Sequence, residues 1–195
     1  MREGTIVRTT KETDIRLGLL LDGQGQYTGK SGCGFLDHML DILCRHALVD
    51  LTLSCAGDVQ VDDHHTVEDI GICLGQALRQ ALGDKAGIAR YGQCLLPMDE
   101  TLVLAALDLS GRAYLAWDMQ IPAAKVGTFD TELAREFFLA LVREAGITLH
   151  IRQMAGFNSH HLVEAAFKGF ARALRQAMET DPRLQGRVNS SKGAL

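Results

Sequence analysis

Two short stretches of this chain carry the same set of metal-binding side chains. His64-His65-Thr66-Val67-Glu68 recurs as His160-His161-Leu162-Val163-Glu164, 96 residues further on. The echo continues downstream, where Ala77-Leu78-Arg79-Gln80-Ala81 returns as Ala173-Leu174-Arg175-Gln176-Ala177 at the same offset. On a helix, residues i and i+4 share one face about one turn apart. His64 with Glu68, and His160 with Glu164, can therefore each grip one cation. His65 and His161 project about 100° away around the helix axis, so they do not easily reach the ion held by the adjacent His. Two metals solve this, each chelated by one i,i+4 pair and crossed by a His from the other half. A lone His is more often a capping or surface residue. Two copies at one offset, both just after capping residues, are not explained by core burial.

The elements that must position these residues follow the same duplication. In the first half, strand-like segments cover Thr5–Thr10 and Ile15–Leu21, and Asp22-Gly23 is a turn signal. A helix is predicted from Phe35 to Ala47, a strand from Leu48 to Cys55, and a helix from His64 to about Leu82 with Asp62-Asp63 as its N-cap. In the second half, Thr101–Leu109 and Arg112–Ile121 read as a hairpin turning at Ser110-Gly111. A helix over Thr131–Arg143, a strand over Ile147–Met154 and a helix from His160 to about Met178, capped by Asn158-Ser159, complete the repeat. Each half thus reads strand, strand, helix, strand, helix, an α/β (α+β) chain of two similar halves. The halves span residues 1–90 and 91–182, joined near Gly83–Asp99. A tail, 183–195, has no periodicity and reads as a loop.

The repeat nominates further ligands. His38 lies in the first helix of the first half, 26 residues before His64, and Glu136 in the matching helix of the second, 24 residues before His160. Swapping halves gives one site of His38, His65, His160 and Glu164 and a mate of Glu136, His64, Glu68 and His161. Imidazole plus carboxylate without thiolate suits manganese or another six-coordinate divalent ion better than structural zinc.

Bulk properties narrow the partners. The formal net charge of −4, with no Lys/Arg cluster, argues against nucleic acid. No apolar run reaches the roughly 18 residues of a membrane span, and the N-terminus lacks the apolar stretch of a signal peptide. Five cysteines, odd in number and without a Cys-x-x-Cys pair, favour reduced thiols in a cytoplasmic protein.

Five motifs now stand in order: Gly34-Phe35-Leu36-Asp37-His38-Met39-Leu40, Asp62-Asp63-His64-His65-Thr66-Val67-Glu68-Asp69, Asp108-Leu109-Ser110-Gly111-Arg112, Asn158-Ser159-His160-His161 and Ser190-Ser191-Lys192-Gly193. Together they closely resemble imidazoleglycerol-phosphate dehydratase, in its monofunctional form. The resemblance implies two α/β halves, each a four-stranded sheet backed by helices. It implies two manganese ions per subunit, ligands drawn from neighbouring subunits, and a homo-oligomer of 24. The ligands it carries over are His38, His64, His65, Glu68, His160, His161 and Glu164. Many members have His in a Glu-His-Phe-Phe context where this chain has Glu136 in Arg135-Glu136-Phe137-Phe138.

The implied reaction removes water from imidazole glycerol phosphate to give imidazole acetol phosphate, a step of L-histidine biosynthesis. The hydrogen lost is on a carbon with no adjacent carbonyl. Two metals on the ring nitrogens would favour an imidazolate, whose electron density expels the hydroxyl next to the ring. A general base then takes the neighbouring proton and the enol tautomerises. The resemblance makes Glu12 the acid/base, with Glu68 and Glu164 beside it in the catalytic set. It makes His38, His46, His64, His65, Glu68 and His160 substrate-side residues along with Glu12. Arg90, Arg112, Ser190, Ser191 and Lys192 become the contacts of a small phosphorylated imidazole substrate. Taken singly, Arg90 and Arg112 would read as surface ion-pair residues, Glu12 as a solvated turn charge, and His150 as structural. Asp99-Glu100 reads as a pair supporting the site or as a solvated strand end. A metal-cemented shell without catalysis and a dimetal hydrolase are the competing classes.

Overall fold

The computed structural model describes residues 1–193, so the last two residues of the expected tail lie outside the described residues. The first half runs β1 (Glu3–Thr9), β2 (Thr13–Leu20), β3 (Tyr27–Lys30), α1 (Gly34–Ala47), β4 (Asp50–Gly57) and α2 (His64–Leu82). The second runs β5 (Tyr91–Met98), β6 (Thr101–Asp108), β7 (Tyr114–Asp118), a short ribbon of β8 (Lys125–Val126) and β9 (Phe129–Asp130), α3 (Leu133–Ala145), β10 (Thr148–Ala155) and α4 (Ser159–Met178). A 3₁₀ turn, Pro182–Leu184, starts the tail.

Each half builds a four-stranded sheet with the same connectivity, β1-β2-β4-β3 and β5-β6-β10-β7. In both, the edge strand β3 or β7 runs parallel to its neighbour while the remaining pairs are antiparallel. Strict alternation makes the strands one-sided. Ile15, Leu17 and Leu19 of β2 are buried between exposed Asp14 and Arg16, and Val103, Ala105 and Leu107 repeat this in β6.

The buried faces of both sheets are covered by helices. α2 lies on β1 and β2, and α4 on β5 and β6. The other side of each helix meets the opposite half: α1 packs against α4 and α2 against α3. Four helices thus sit between two sheets and share one continuous apolar core. Gly71 and Gly75 allow the α2–α3 approach, because a Cβ there would stand 2.7 Å from the Phe137 carbonyl and 2.5 Å from that of Leu141. Phe137 and Phe138 of α3 stack with Phe167 and Phe170 of α4, with ring centroids 4.7–5.4 Å apart.

Several expectations need correction. The expected hairpin at Ser110-Gly111 does not form, because β10 inserts between β6 and β7. The strand β3 follows the Asp22-Gly23 turn and β5 lies in the expected junction, so each four-stranded sheet takes three of its strands from before the half's first helix. The β8–β9 ribbon explains the drift between halves. β2 and β6 start 88 residues apart (13 and 101), whereas β4 and β10 start 98 apart (50 and 148). Asp63 stands at the N-cap of α2 but makes no capping bond, and it is Asp62 that accepts from the His64 N–H, at 2.8 Å.

Phe167 is fully buried and touches two rings of α3. Phe167→Ala should lower the unfolding free energy by about 3–5 kcal/mol, read as an earlier midpoint in urea titration of the assembled protein.

Candidate metal centre

The start of α4 is fixed from outside the helix. The Asn158 side chain accepts from the N–H groups of His160 and His161, at 3.0 and 3.2 Å. Glu100, from the β5–β6 turn, accepts from the Asn158 N–H at 3.0 Å. Packing of α1 on α4 then brings His38 to the i,i+4 pair. The Glu164 carboxylate lies 2.9 Å from His160 Nε2 and 3.5 Å from His38 Nε2. One ligand atom from each of the three falls within 4.8 Å of the others, and His38–His160–Glu164 is the one such group of three or more found among the described residues.

This donor set fits a divalent cation. Two imidazole nitrogens and a carboxylate oxygen converge on one point, and the Glu164 side chain is only 9% exposed. Its other oxygen takes the Lys168 ammonium at 2.6 Å. Burial opposes ionisation of Glu164, but Lys168 and His160 outweigh it and hold the carboxyl below its usual range.

The second His of each pair turns away, as the helical angle requires. His65 Nδ1 lies 3.0 Å from Asp58, and its Nε2 is 3.8 Å from Glu12. His161 Nδ1 lies 2.8 Å from Glu100, and its Nε2 is 3.9 Å from Asp99. A carboxylate on Nδ1 keeps the proton there and leaves Nε2 as the lone-pair nitrogen, the arrangement that prepares imidazole to ligate a metal. Asp58 raises the proton affinity of His65. His161, helped by the Asn158 N–H and Thr101, pushes the Glu100 carboxyl down to about 2.

Three of the four residues expected in the first site are therefore brought together, and His65 is not among them. Of the expected mate, no three of Glu136, His64, Glu68 and His161 converge within one chain. The Glu136 carboxylate is instead held by Arg135 at 2.8 Å.

The expected phosphate contacts gather at the other end of the second sheet. Arg90 is buried, its fork set on Asp108 at 2.7 and 3.0 Å, and its third nitrogen donates to the Asn189 carbonyl at 2.8 Å. Arg112 reaches the same Asp108 at 3.7 Å, with its side chain 70% exposed. The tail is tied down beside them by the Ala86–Val188 and Ile88–Thr180 bridges and by Asn189 donating to the Ala89 carbonyl. Arg90, Arg187, Ser190 and Ser191 line a cleft of about 730 Å³ there. The Ser190 hydroxyl accepts from the Lys192 N–H at 3.2 Å.

His46 is half-buried, and its proton affinity is lowered by burial and then by Lys168 and Arg172. His150 stands on the exposed face of β10 beside Tyr114. Lys168 was not singled out from sequence. Its signal is position, one turn beyond Glu164 on the same helix face. Asp58 was missed for the opposite reason, since nothing local links the end of β4 to a His seven residues later.

The comparisons agree with this architecture. A family model described as imidazoleglycerol-phosphate dehydratase matches residues 31–174. Relatives bearing that name from Dinoroseobacter shibae and Jannaschia sp. are 63% and 61% identical over 195 residues, covering all of both chains. Among solved structures, the enzyme of that name from Staphylococcus aureus superposes with a TM-score of 0.84 at 41% identity, over 92% of this chain and 99% of its own. The one from Pyrococcus furiosus, solved in complex with (S)-C348, gives 0.84 at 39% identity, over 97% of this chain and 100% of its own. No helix among the described residues is long and apolar enough to cross a membrane. The chain belongs to the imidazoleglycerol-phosphate dehydratase family and is a hydro-lyase.

Proposed function

We propose that this chain dehydrates imidazole glycerol phosphate to imidazole acetol phosphate in L-histidine biosynthesis, in the cytoplasm, and that the reaction depends on two manganese ions per subunit. The observation that carries the metal reading is the convergence of His38, His160 and Glu164 on one point. The rest of each ion's shell comes from neighbouring copies in a homo-oligomer of 24. What supports this is the direction of His65 and His161, whose carboxylate-oriented rings face away from their own chain's cluster. His64, Glu68, Glu136 and His161 then form the second group of ligands, with Glu136 supplying a carboxylate where many relatives have imidazole. No part of this requires nucleic acid or membrane.

Bound divalent ions would supply Lewis acidity toward the ring nitrogens of the substrate. The chain's own residues do the rest. Arg90, Ser190 and Ser191, which line one cleft, would hold the phosphate, with Arg112 and Lys192 reaching in from beside it. His46 would line the substrate side. Once the hydroxyl next to the ring has left, Glu12 would take the proton from the neighbouring carbon. Hydroxide and that proton together make the water lost, and the enol left behind becomes the ketone. Glu12 suits this role because its side chain is 52% exposed and its carboxylate lies 3.8 Å from His65 Nε2.

Glu12→Gln should leave bound manganese and assembly size unchanged while lowering turnover by roughly 10²-fold or more, followed as imidazole acetol phosphate formation; full activity would remove Glu12 from the mechanism. Stripping the protein with a chelator should abolish turnover, and added manganese should restore it. Full activity in metal-free protein, verified by elemental analysis, would refute the metal dependence.

A further inference from the structure

The two halves carry the same turn. Lys11-Glu12-Thr13 leads into β2 and Asp99-Glu100-Thr101 leads into β6, 88 residues apart. The two glutamates nevertheless stand in opposite states. Glu100 is gripped on three sides, by the Thr101 hydroxyl at 3.0 Å, the Asn158 N–H at 3.0 Å and His161 at 2.8 Å. The Glu12 carboxylate has none of these, although its backbone is well held: its N–H donates to the Thr10 hydroxyl and its carbonyl accepts from the Asp58 N–H.

Thr13 accounts for the missing hydroxyl, while the imidazole that would match His161, that of His65, has its Nδ1 on Asp58 at 3.0 Å. The Thr13 hydroxyl donates to Asp69 at 2.5 Å and lies 3.2 Å from the Thr10 hydroxyl. Asp69 is itself buried on α2 and paired with Arg8 of β1 at 2.9 Å. At the corresponding positions of the second half stand Ala165, 96 residues after Asp69, and Leu96, 88 residues after Arg8. With no acceptor there, Thr101 turns to its neighbouring glutamate instead. The apolar pair is the simpler solution for stability. Burying an ion pair carries a desolvation cost, and Arg8 Nε is buried without any partner.

We propose that the Arg8–Asp69 pair serves the reaction by taking the Thr13 hydroxyl, which keeps the Glu12 carboxylate unbound and available to substrate. Asp69 is then a positioning residue that acts through Thr13. One ancestral turn has diverged into a proton-transfer group in the first half and a histidine-orienting group in the second. The inference rests on the reading of Glu12 as the acid/base.

The test compares Asp69→Ala, Asp69→Ala/Thr13→Val and Glu12→Gln in the manganese-loaded protein, with a crystal structure of Asp69→Ala. Arg8 reaches solvent, with 34% of its side chain exposed, so it can rehydrate when its partner is lost. Should Asp69→Ala not fold, Arg8→Leu/Asp69→Ala reproduces the apolar pair of the second half and takes its place. In the structure, the Thr13 hydroxyl should swing to within hydrogen-bond distance of the Glu12 carboxylate. The kcat should fall about three- to tenfold, the effect of one added hydrogen bond, with KM nearly unchanged. Adding Thr13→Val should recover most of that loss, a rescue that simple destabilisation does not produce. A Thr13 hydroxyl that stays away from Glu12, or a double variant as slow as Asp69→Ala, would overturn the proposal. If Glu12→Gln proves fully active, the acid/base reading fails, and the crystal structure still decides whether Asp69 controls Thr13.

Discussion

Everything at the candidate metal centre depends on helices of one half packing against helices of the other. Each sheet buries one face under its own helices, and those helices retain an apolar side that only the partner half can cover. That shared burial, and not any local contact, places His38 of α1 against His160 and Glu164 of α4. A pair of ligands on one helix is set by the helical repeat, to within the freedom of two side chains. The third ligand is set by an interhelical distance, and that distance is fixed by close packing of α1 on α4, where the Phe35 ring meets the His160 ring edge-on at 5.2 Å.

The duplication gives the site a second constraint. Two helix starts with the same His-His-x-x-Glu order must direct their adjacent histidines about 100° apart. At the start of α4 the first His faces its i+4 glutamate, and at both starts the second His meets carboxylates from the nearby loops and turns, Asp58 and Glu12 for His65, Glu100 and Asp99 for His161. One helix start cannot bring both of its rings onto one ion.

Much of this was legible in the sequence because the strongest signals were periodic. The four helices and the strands β2, β4, β6 and β10 follow apolar spacing, and the repeat pointed to His38 through its distance from His64. The strands that were missed lack that signal. β3 is four residues, Tyr27-Thr28-Gly29-Lys30, mostly exposed and broken by a glycine. β5 is an edge strand containing Pro97, which reads as a breaker because proline has no N–H to give to a ladder, a lack tolerated where that position faces out from the sheet edge. The Ser110-Gly111 turn was correctly a turn but not a hairpin, because strand order within a sheet is not written in the segments that form it. At the site, Lys168 and Asp58 were overlooked. So was the Glu-Thr echo of Glu12-Thr13 and Glu100-Thr101, because its offset is 88 and not the 96 of the histidine motif.

The tail tells of the order in which the molecule can be completed. Residues 180–189 are stitched to the segment joining the halves, through Gly87 donating to Arg187, Asp181 donating to Gly87, and Asn189 donating to Ala89. That segment is synthesised about 100 residues earlier. During translation it must wait, with its hydrogen-bonding groups facing water, until nearly the whole chain has left the ribosome. The core, whose last buried side chain is Met178, has all its parts before then. The tail thus adds one wall of a cleft to a core that holds all its buried apolar side chains without it, and clipping that tail would open the cleft while taking no side chain from the core.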